Sequence, residues 1–284
     1  RRGPPSNRGW IDRAWAGDDD PLHINRGRAG EFASSEFRDL WAALDKGEGI
    51  HGVGERFNHQ ISGGYSSSFT AYERGDGYLA LRGSFLSPEG AEVGRWARAF
   101  AVDKRGDLAV VHESMMFRSD HQGAGIGPAF NERNEDYYRR AGVKNVAVLA
   151  SSDLGGWAWS REFDWDPEAT WLLASGLDMD DEGLIDAEIN NGFGDVPERM
   201  DDLLAEIDDG AYRSLPRDVA DSLRDEVQIL RDGMEEGWVK PIDIAHLGRN
   251  HTWTDDDGHE MWMGKDLLIG STWSGIRPVR PAPE

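Results

Sequence analysis

The feature that most constrains the fold is a glycine-rich turn, HQGAGIG at residues 121–127, between two apolar segments. Residues 107–117 before it (DLAVVHESMMF) and residues 143–150 after it (VKNVAVLA) have the composition of buried strands. Between the turn and the second strand, residues 128–142 (PAFNERNEDYYRRAG) are typical of a helix that ends at a glycine. The order strand, turn, helix, strand predicts a βαβ unit.

The turn itself predicts a binding activity. It places several backbone N–H groups at a helix N-terminus, where the helix dipole favours anions. Gly123, Gly125 and Gly127 have no side chains to keep a ligand away from the backbone, and they tolerate positive φ. The pattern indicates a site for phosphate, pyrophosphate or a nucleotide-type cofactor. The alternative is an ordinary strand-to-helix loop, which the same glycines would permit.

The same residues carry a family resemblance. Residues 122–127 (QGAGIG) resemble the Q/R-x-x-G-x-G/A signature of the GNAT N-acetyltransferases. The preceding hairpin, residues 94–102 and 107–117 around a turn at 103–106, is similar to the two central antiparallel strands of that family. The resemblance covers residues 72–165 of the 284. It implies a GNAT-like fold of the α/β (α+β) class, in which helices layer a mixed, mostly antiparallel sheet.

The resemblance further implies that acetyl-coenzyme A is the cofactor and that an acetyl group passes to an amine. The turn amides would hold the pyrophosphate, and the main chain of the preceding strand would lie beside the pantetheine arm. The implied cofactor-binding residues are Met115, Met116, Phe117, Gln122, Gly123, Ala124, Gly125, Ile126 and Gly127.

Catalysis in this family needs no covalent intermediate, because the acceptor amine attacks the thioester directly. The protein must orient the two reactants and accept a proton. Glu113, on the strand before the turn, is the candidate general base; the alternative is a carboxylate paired within the sheet. His112 is expected to point to the opposite face, since side chains alternate along a strand.

One departure from the family favours a second function. The usual general acid is a tyrosine on the helix after the second strand, but residues 157–163 (WAWSREF) contain none, and Tyr137 and Tyr138 are expected to pack in the core. The alternative is a catalytically inactive GNAT-like binding or structural module of a larger assembly, such as a bacteriophage structural protein or a toxin. A third alternative, an ADP-ribosyltransferase, would use the serines at 66–68, but no Glu-x-Glu motif accompanies them.

Composition restricts the partners. Lys and Arg number 31 against 53 Asp and Glu, for a net charge of −22, which argues against nucleic-acid binding and favours a cationic acceptor. No apolar run approaches the roughly 18–20 residues that span a bilayer, so we expect a soluble, cytoplasmic protein or a part of a larger phage or secreted assembly. The start at Arg1 suggests a fragment or processed product. The oligomeric state is not predicted.

Other motifs indicate loops rather than sites, and no metal site is predicted. Residues 47–52 (GEGIHG) match G-x-G-x-x-G but follow a helix-like segment instead of a strand. Residues 178–183 (DMDDEG) begin like a calcium-binding loop, but the twelfth position is Ile189 where calcium requires a glutamate. His246, His251 and His259 have spacings that fit no established metal pattern.

The chain divides by composition into four segments. We expect a tail or linker at 1–34, a GNAT-like core at 35–166, an acidic helical insertion at 167–240, and C-terminal strands at 241–284 that could complete the core sheet. Within the insertion, apolar residues recur every three or four positions in two helices, 197–209 and 216–236. Residues 260–279 are expected to form a terminal hairpin. Five basic residues are expected to surround the glycine turn: Arg118, Arg133, Arg139, Arg140 and Lys144.

Overall fold

A computed structural model describes residues 52, 54–75, 78–103, 107–150, 155–166, 192–210, 215–256 and 258–281. The strands are β1 (Ser66–Gly75), β2 (Tyr78–Leu86), β3 (Glu92–Val102), β4 (Leu108–Phe117), β5 (Asn145–Ala150), β6 (Asp164–Trp165), β7 (Trp253–Thr254), β8 (Glu260–Met261) and β9 (Trp273–Pro278). The main helices are α1 (Ile126–Ala141), α2 (Gly155–Trp159), α3 (Val196–Asp208), α4 (Arg217–Glu236), α5 (Pro241–His246) and α6 (Met263–Leu268).

Seven of the strands form one sheet in the order β1-β2-β3-β4-β5-β9-β6. The first four strands pair antiparallel in chain order, and the predicted hairpin of residues 94–102 and 107–117 is present as β3 and β4. After β4 the chain passes through the glycine turn and α1 and returns as β5, which pairs with β4 in parallel. The predicted βαβ unit is therefore present in a mixed, mostly antiparallel sheet, which is compatible with a GNAT-like fold.

The two faces of this sheet carry side chains of different size. On one face, bulky residues such as Trp96, Phe100 and Val110 pack against Phe130 and Tyr138 of α1. The other face is lined by small buried residues, including Ala99 of β3 and Ala109 of β4. The helix α1 is therefore held tightly over the centre of the sheet, and this packing fixes the position of the turn at its N-terminus.

The two acidic helices expected in the insertion are present as α3 and α4. Their predicted apolar stripes are largely buried, with Leu203, Leu223, Val227 and Leu230 less than a tenth exposed. Arginines of α4 bridge to α3 on the outside of the pair: Arg224 to Asp208 at 2.6 Å and Arg231 to Asp201 at 3.0 Å. The helical prediction for these segments is confirmed.

The expected C-terminal hairpin over residues 260–279 is wrong. β8 pairs with β7 in a separate two-stranded sheet, and the residues that follow form α6 instead of a strand. Gly264 explains part of this, because a Cβ there would lie 1.9 Å from the Ile244 carbonyl oxygen, so α6 packs against α5 backbone to backbone. The last strand nevertheless joins the main sheet: β9 lies antiparallel between β5 and β6.

Several sequence predictions fall outside the described residues. They include the helix-like segment that precedes residue 47, nearly all of the glycine motif at 47–52 and the calcium-like loop at 178–183. The division into four segments stays a prediction. Within the described part of the chain, no helix is long and apolar enough to cross a membrane. No group of three or more His, Asp or Glu side chains suited to a metal ion occurs among the described residues.

Candidate functional site

Glu113 lies at a β-bulge in the centre of the sheet. His112 of β4 is opposite Arg98 of β3, whereas Ser114 is opposite Ala97, so Glu113 has no partner position on β3. A bulge of this kind interrupts the alternation of side chains and increases the local twist. The expectation that His112 and Glu113 point to opposite faces relied on regular alternation, which the strand does not keep at this position.

Beyond the bulge, β4 has one open edge. The parallel pairing with β5 covers only residues 109–112 of β4, and its last pair is His112 with Val148. Residues 114–117 stay paired with β3 on the other side. No described strand pairs with residues 113–117 on the β5 side, so the stretch of β4 between the bulge and the turn has a partner strand on one side only. This edge leads directly into the glycine turn.

The glycine turn has the backbone geometry that the sequence predicts. Gly123 and Gly125 have φ of +75° and +73°, in the left-handed region that favours glycine. Gly125 caps α1, and no side chain caps the helix at this end. None of the described residues accepts a hydrogen bond from the N–H groups of Gly125, Ile126 and Gly127. These three N–H groups are therefore available to an anion.

The glycines of the turn have two different structural roles. A Cβ added at Gly123 or Gly125 would meet no atom within 4 Å, so these two positions border open space. A Cβ at Gly127 would lie 2.8 Å from the Met115 Cε, so this glycine lets the first turn of α1 approach β4 closely. Gln122 completes the signature by donating from Nε2 to the Phe117 carbonyl oxygen at 3.3 Å, which closes the turn onto the strand.

A buried arginine supports the bulge. Arg98 is fully buried, and its Nη1 donates to the carbonyl oxygens of Ala97 at 2.7 Å and Ser114 at 3.0 Å, one on each side of the irregular register. Its Nη2 donates to Asn131 of α1 at 3.0 Å. Burial lowers the pKa of Arg98, and the charge of Glu113 opposes that lowering. Glu113 is therefore near enough to Arg98 for its charge to act on the guanidinium.

His112 and Tyr138 form a second buried polar pair beside the bulge. The His112 Nε2 lies 3.2 Å from the Tyr138 hydroxyl oxygen, and the imidazole also contacts Trp159 of α2 edge to face. Burial lowers the pKa of His112 well below its ordinary value, and the charges of Arg98 and Arg277 lower it further. The imidazole is therefore neutral at physiological pH. Tyr137 and Tyr138 are both buried, which confirms their predicted place in the core.

A third pair, which the sequence analysis missed, lies next to the turn. The Tyr65 hydroxyl is 3.0 Å from the His121 Nδ1, and the His121 Nε2 is 3.6 Å from an Asp120 carboxylate oxygen. Both rings are only partly buried. Tyr65 precedes β1 and is distant from the turn in sequence, so no local pattern identifies this contact.

The prediction that five basic residues surround the turn is wrong for most of the five. The helix α1 has 16 residues and carries Arg139 and Arg140 in its last turn. At about 1.5 Å per residue, these two arginines lie roughly 20 Å from Gly125. Lys144 follows the helix and is equally remote. Of the five, Arg118 adjoins the turn, and it lies 3.4 Å from Asp120.

The clearest cavities lie elsewhere. One of about 250 Å³ is lined by residues of α3 and α6, including Arg199 and Asp266. Another of about 390 Å³ lies beside α1, against Ser62 and Arg133. Neither is lined by Glu113 or by the glycines of the turn.

Comparisons with known proteins give limited similarity. No family model and no curated protein match the chain. Among solved structures it is similar to an acetyltransferase of Trypanosoma brucei, with 20% identity over 29% of this chain and 59% of that chain and a TM-score of 0.25. It is also similar to a nourseothricin acetyltransferase, with 13% identity over 46% of this chain and 89% of that chain and a TM-score of 0.26. The match thus spans less than two thirds of the first relative.

Proposed function

We propose that this protein binds acetyl-coenzyme A and transfers its acetyl group to an amine. The observation that carries the proposal is the continuity of two binding elements. Three N–H groups without described acceptors, at Gly125, Ile126 and Gly127, lie at the end of the open β4 edge formed by residues 113–117. The turn N–H groups suit an anionic group, and the open strand edge suits an extended arm that contains amides. A ligand that joins these two parts would fit the surface.

The residues present fit this ligand. The turn amides, at the positive end of the α1 dipole, would hold the pyrophosphate. The main chain of Met115–Phe117 would bind the amides of the pantetheine arm as a strand binds its neighbour. Open space at Gly123 and Gly125 allows close approach of the phosphates to the backbone. When bound, the thioester supplies an activated acyl group; the protein supplies orientation and proton transfer.

Glu113 is the proposed acceptor of the amine proton, directly or through water. It is half-buried at the bulge, where β4 and β5 separate. Its charge also influences Arg98, so its removal has a structural consequence that must be measured separately. We expect Glu113→Gln to lower kcat by about 10²–10³-fold, within the usual range for loss of a general base. Turnover equal to that of the parent, with the fold intact, would assign the proton transfer to another group.

A specific observation favours the alternative of an inactive binding module. The helix α2 carries Trp157 and Trp159 but no tyrosine, and the nearby Tyr138 is fully buried with its hydroxyl against His112. The described residues of this region therefore provide no exposed tyrosine hydroxyl for a thiolate product. Binding of coenzyme A without acyl transfer to any of a panel of polyamines, aminoglycosides and basic peptides would establish this alternative.

The central experiment is calorimetric titration with coenzyme A. Gly125→Ala should weaken binding at least tenfold, because the added methyl group enters the open space over the turn. Gly142→Ala is a matched control: Gly142 has φ of +84°, no atom within 4 Å of its added Cβ, and lies at the other end of α1. Both variants carry a similar backbone strain of about 1–2 kcal/mol. Only the first should lose affinity.

Two outcomes would contradict the proposal. Absence of heat with the parent protein, at coenzyme A concentrations up to millimolar, would exclude the cofactor. Equal affinity in Gly125→Ala and Gly142→Ala would show that the ligand binds away from the turn.

A further inference from the structure

The proposed function leaves one buried polar group of the site without a role. His112 is 2% exposed, and its Nδ1 has no hydrogen-bond partner among the described residues. Its other ring nitrogen is occupied by the Tyr138 hydroxyl. Buried polar atoms are nearly always hydrogen-bonded, because leaving one unpaired in an apolar environment is costly. An orphaned nitrogen at this place therefore needs an explanation.

The surroundings determine which nitrogen of the imidazole carries the proton. The guanidinium of Arg98 lies close enough to Tyr138 to act on its ionisation. A phenol oxygen directs its lone pairs at a nearby cation, and a guanidinium has no acceptor to offer in return. The O–H of Tyr138 therefore points toward His112 and donates to Nε2. Because the ring is neutral, its one proton is then on Nδ1, which makes the unpartnered atom a hydrogen-bond donor.

The position of this donor agrees with the proposed ligand. His112 is the last β4 residue that pairs with β5, so it marks the inner end of the open strand edge. Five residues separate it from Phe117, which corresponds to about 17 Å of strand. That length is comparable with an extended phosphopantetheine arm anchored at the turn. The acyl end of the ligand would then reach the level of His112, with Trp159 of α2 on one side of the ring.

We propose that the Nδ1–H of His112 donates a hydrogen bond to the carbonyl oxygen of the bound thioester. This inference rests on the proposed function. A neutral imidazole donor can polarise a carbonyl and stabilise the negative charge that develops on its oxygen. No proton leaves His112 in this role; the amine proton goes to Glu113 or water. Tyr138 and Arg98 act as positioning residues, since they set the tautomer and touch no substrate.

Nitrogen NMR of protein labelled with ¹⁵N-histidine tests the assignment without relying on turnover. The resonances of His112 are identified by their loss in His112→Asn. In the unliganded protein we expect a neutral ring protonated on Nδ1. A ketone analogue of acetyl-coenzyme A, in which a methylene group replaces the thioester sulfur, should shift the Nδ1 resonance. Free coenzyme A, which lacks the carbonyl, should not.

Two variants separate a donor from a packing residue. His112→Asn can place an amide N–H near the position of Nδ1, whereas His112→Phe fills the space without a donor. We expect kcat to fall by about 10²–10³-fold in His112→Phe with KM for the thioester nearly unchanged, as for loss of an oxyanion donor, and to recover in part in His112→Asn. A residue that only packs would give the opposite order, or equal rates, in variants with intact thermal unfolding transitions.

The outcomes distinguish this inference from the function on which it rests. A ring protonated on Nε2, or an Nδ1 resonance that the ketone analogue and coenzyme A affect equally although both bind, overturns the His112 assignment alone. Failure of both ligands to bind overturns the proposed function and this inference together.

Discussion

The carboxylate of Glu135, in the middle of α1, accepts a hydrogen bond from the guanidinium of Arg277 on β9, 142 residues later in the chain. Both side chains are less than a tenth exposed, and the second oxygen of Glu135 accepts from the backbone N–H of Arg280 at 3.1 Å. The helix that presents the glycine turn is thus fixed to the strand contributed by the C-terminal segment. Stability of the site should depend on this pair.

Glu135→Gln should therefore lower the free energy of unfolding by up to about 3–5 kcal/mol, because it removes the buried carboxylate that pairs with Arg277 and leaves only the partly exposed Glu162, 3.7 Å from the Arg277 Nε. Urea denaturation followed by tryptophan fluorescence measures the change. Glu162→Gln is the comparison, since Glu162 lies 2.9 Å from Arg280 and 3.7 Å from the Arg277 Nε but its side chain is 35% exposed. We expect a cost of about 0–1 kcal/mol there. Equal losses in the two variants would contradict a special role for the buried pair.

Two histidines, the buried His112 and the partly buried His59, predict how stability depends on pH. Burial lowers the pKa of both His112 and His59 below the ordinary histidine value of 6.5. The unfolded chain then binds more protons than the folded one below about pH 6.5, so their contribution is complete above this pH and is lost as the pH falls. The free energy of unfolding should decrease by up to about 1.4 kcal/mol per pH unit for each histidine.

Urea unfolding curves between pH 7.5 and pH 5 provide the measurement. His112→Phe should reduce the slope of stability against pH, and His59→Asn should reduce it by a separate increment. A slope that His112→Phe leaves unchanged would mean that folding does not lower the pKa of His112.

Close packing at Gly127 gives a third prediction. A β-branched side chain in Gly127→Val would collide with the Met115 side chain, whose Cε lies 2.8 Å from the added Cβ position. Because the Met115 Cε is the end of a flexible side chain that can shift, we expect a cost at the lower end of the usual range for overpacking, about 1 kcal/mol. The loss of stability caused by Gly127→Val should be smaller when Met115→Ala is also present, because the atoms that collide with the valine are then absent. Additive losses in the double variant would show that Met115 is not the obstacle.

The local pattern of the sequence predicts the elements that hold the site. Short-range periodicity predicts the strands β3 and β4 and the apolar stripes of α3 and α4. The glycines at the two ends of α1 predict where that helix begins and ends. Each such element is confirmed to within a few residues. The turn was identifiable because φ near +75° at Gly123 and Gly125 restricts the residue type.

The features that sequence reasoning missed depend on long-range contacts. The bulge at Glu113 depends on hydrogen bonds from Arg98 of another strand, and no spacing in β4 announces it. The insertion of β9 between β5 and β6 depends on pairings more than a hundred residues apart. Arg98 is one of two arginines in the otherwise apolar segment GRWARAFAV, and this contrast was the one signal available.

The surface charge of α3 and α4 gives the last prediction, which concerns the acceptor. Carboxylates along the outer face of the pair are exposed to water, including Asp201, Asp208 and Glu235. These three also bind arginines of α4, so part of their charge is compensated within the pair. The protein still has a net charge of −22, and this excess negative charge attracts cations over a distance that depends on ionic strength.

Neutralising the carboxylates should therefore raise KM for a cationic acceptor such as spermidine and leave kcat unchanged. The residues to change to Asn or Gln are Asp201, Asp202, Asp208, Asp209, Glu235 and Glu236. The increase in KM should be largest at about 10 mM salt, where the screening length is about 30 Å, and should fade near 1 M, where it is about 3 Å. A neutral amine measured in parallel should show no change. An unchanged KM for spermidine at low salt, in a variant that unfolds like the parent, would leave these carboxylates with a solubilising role only.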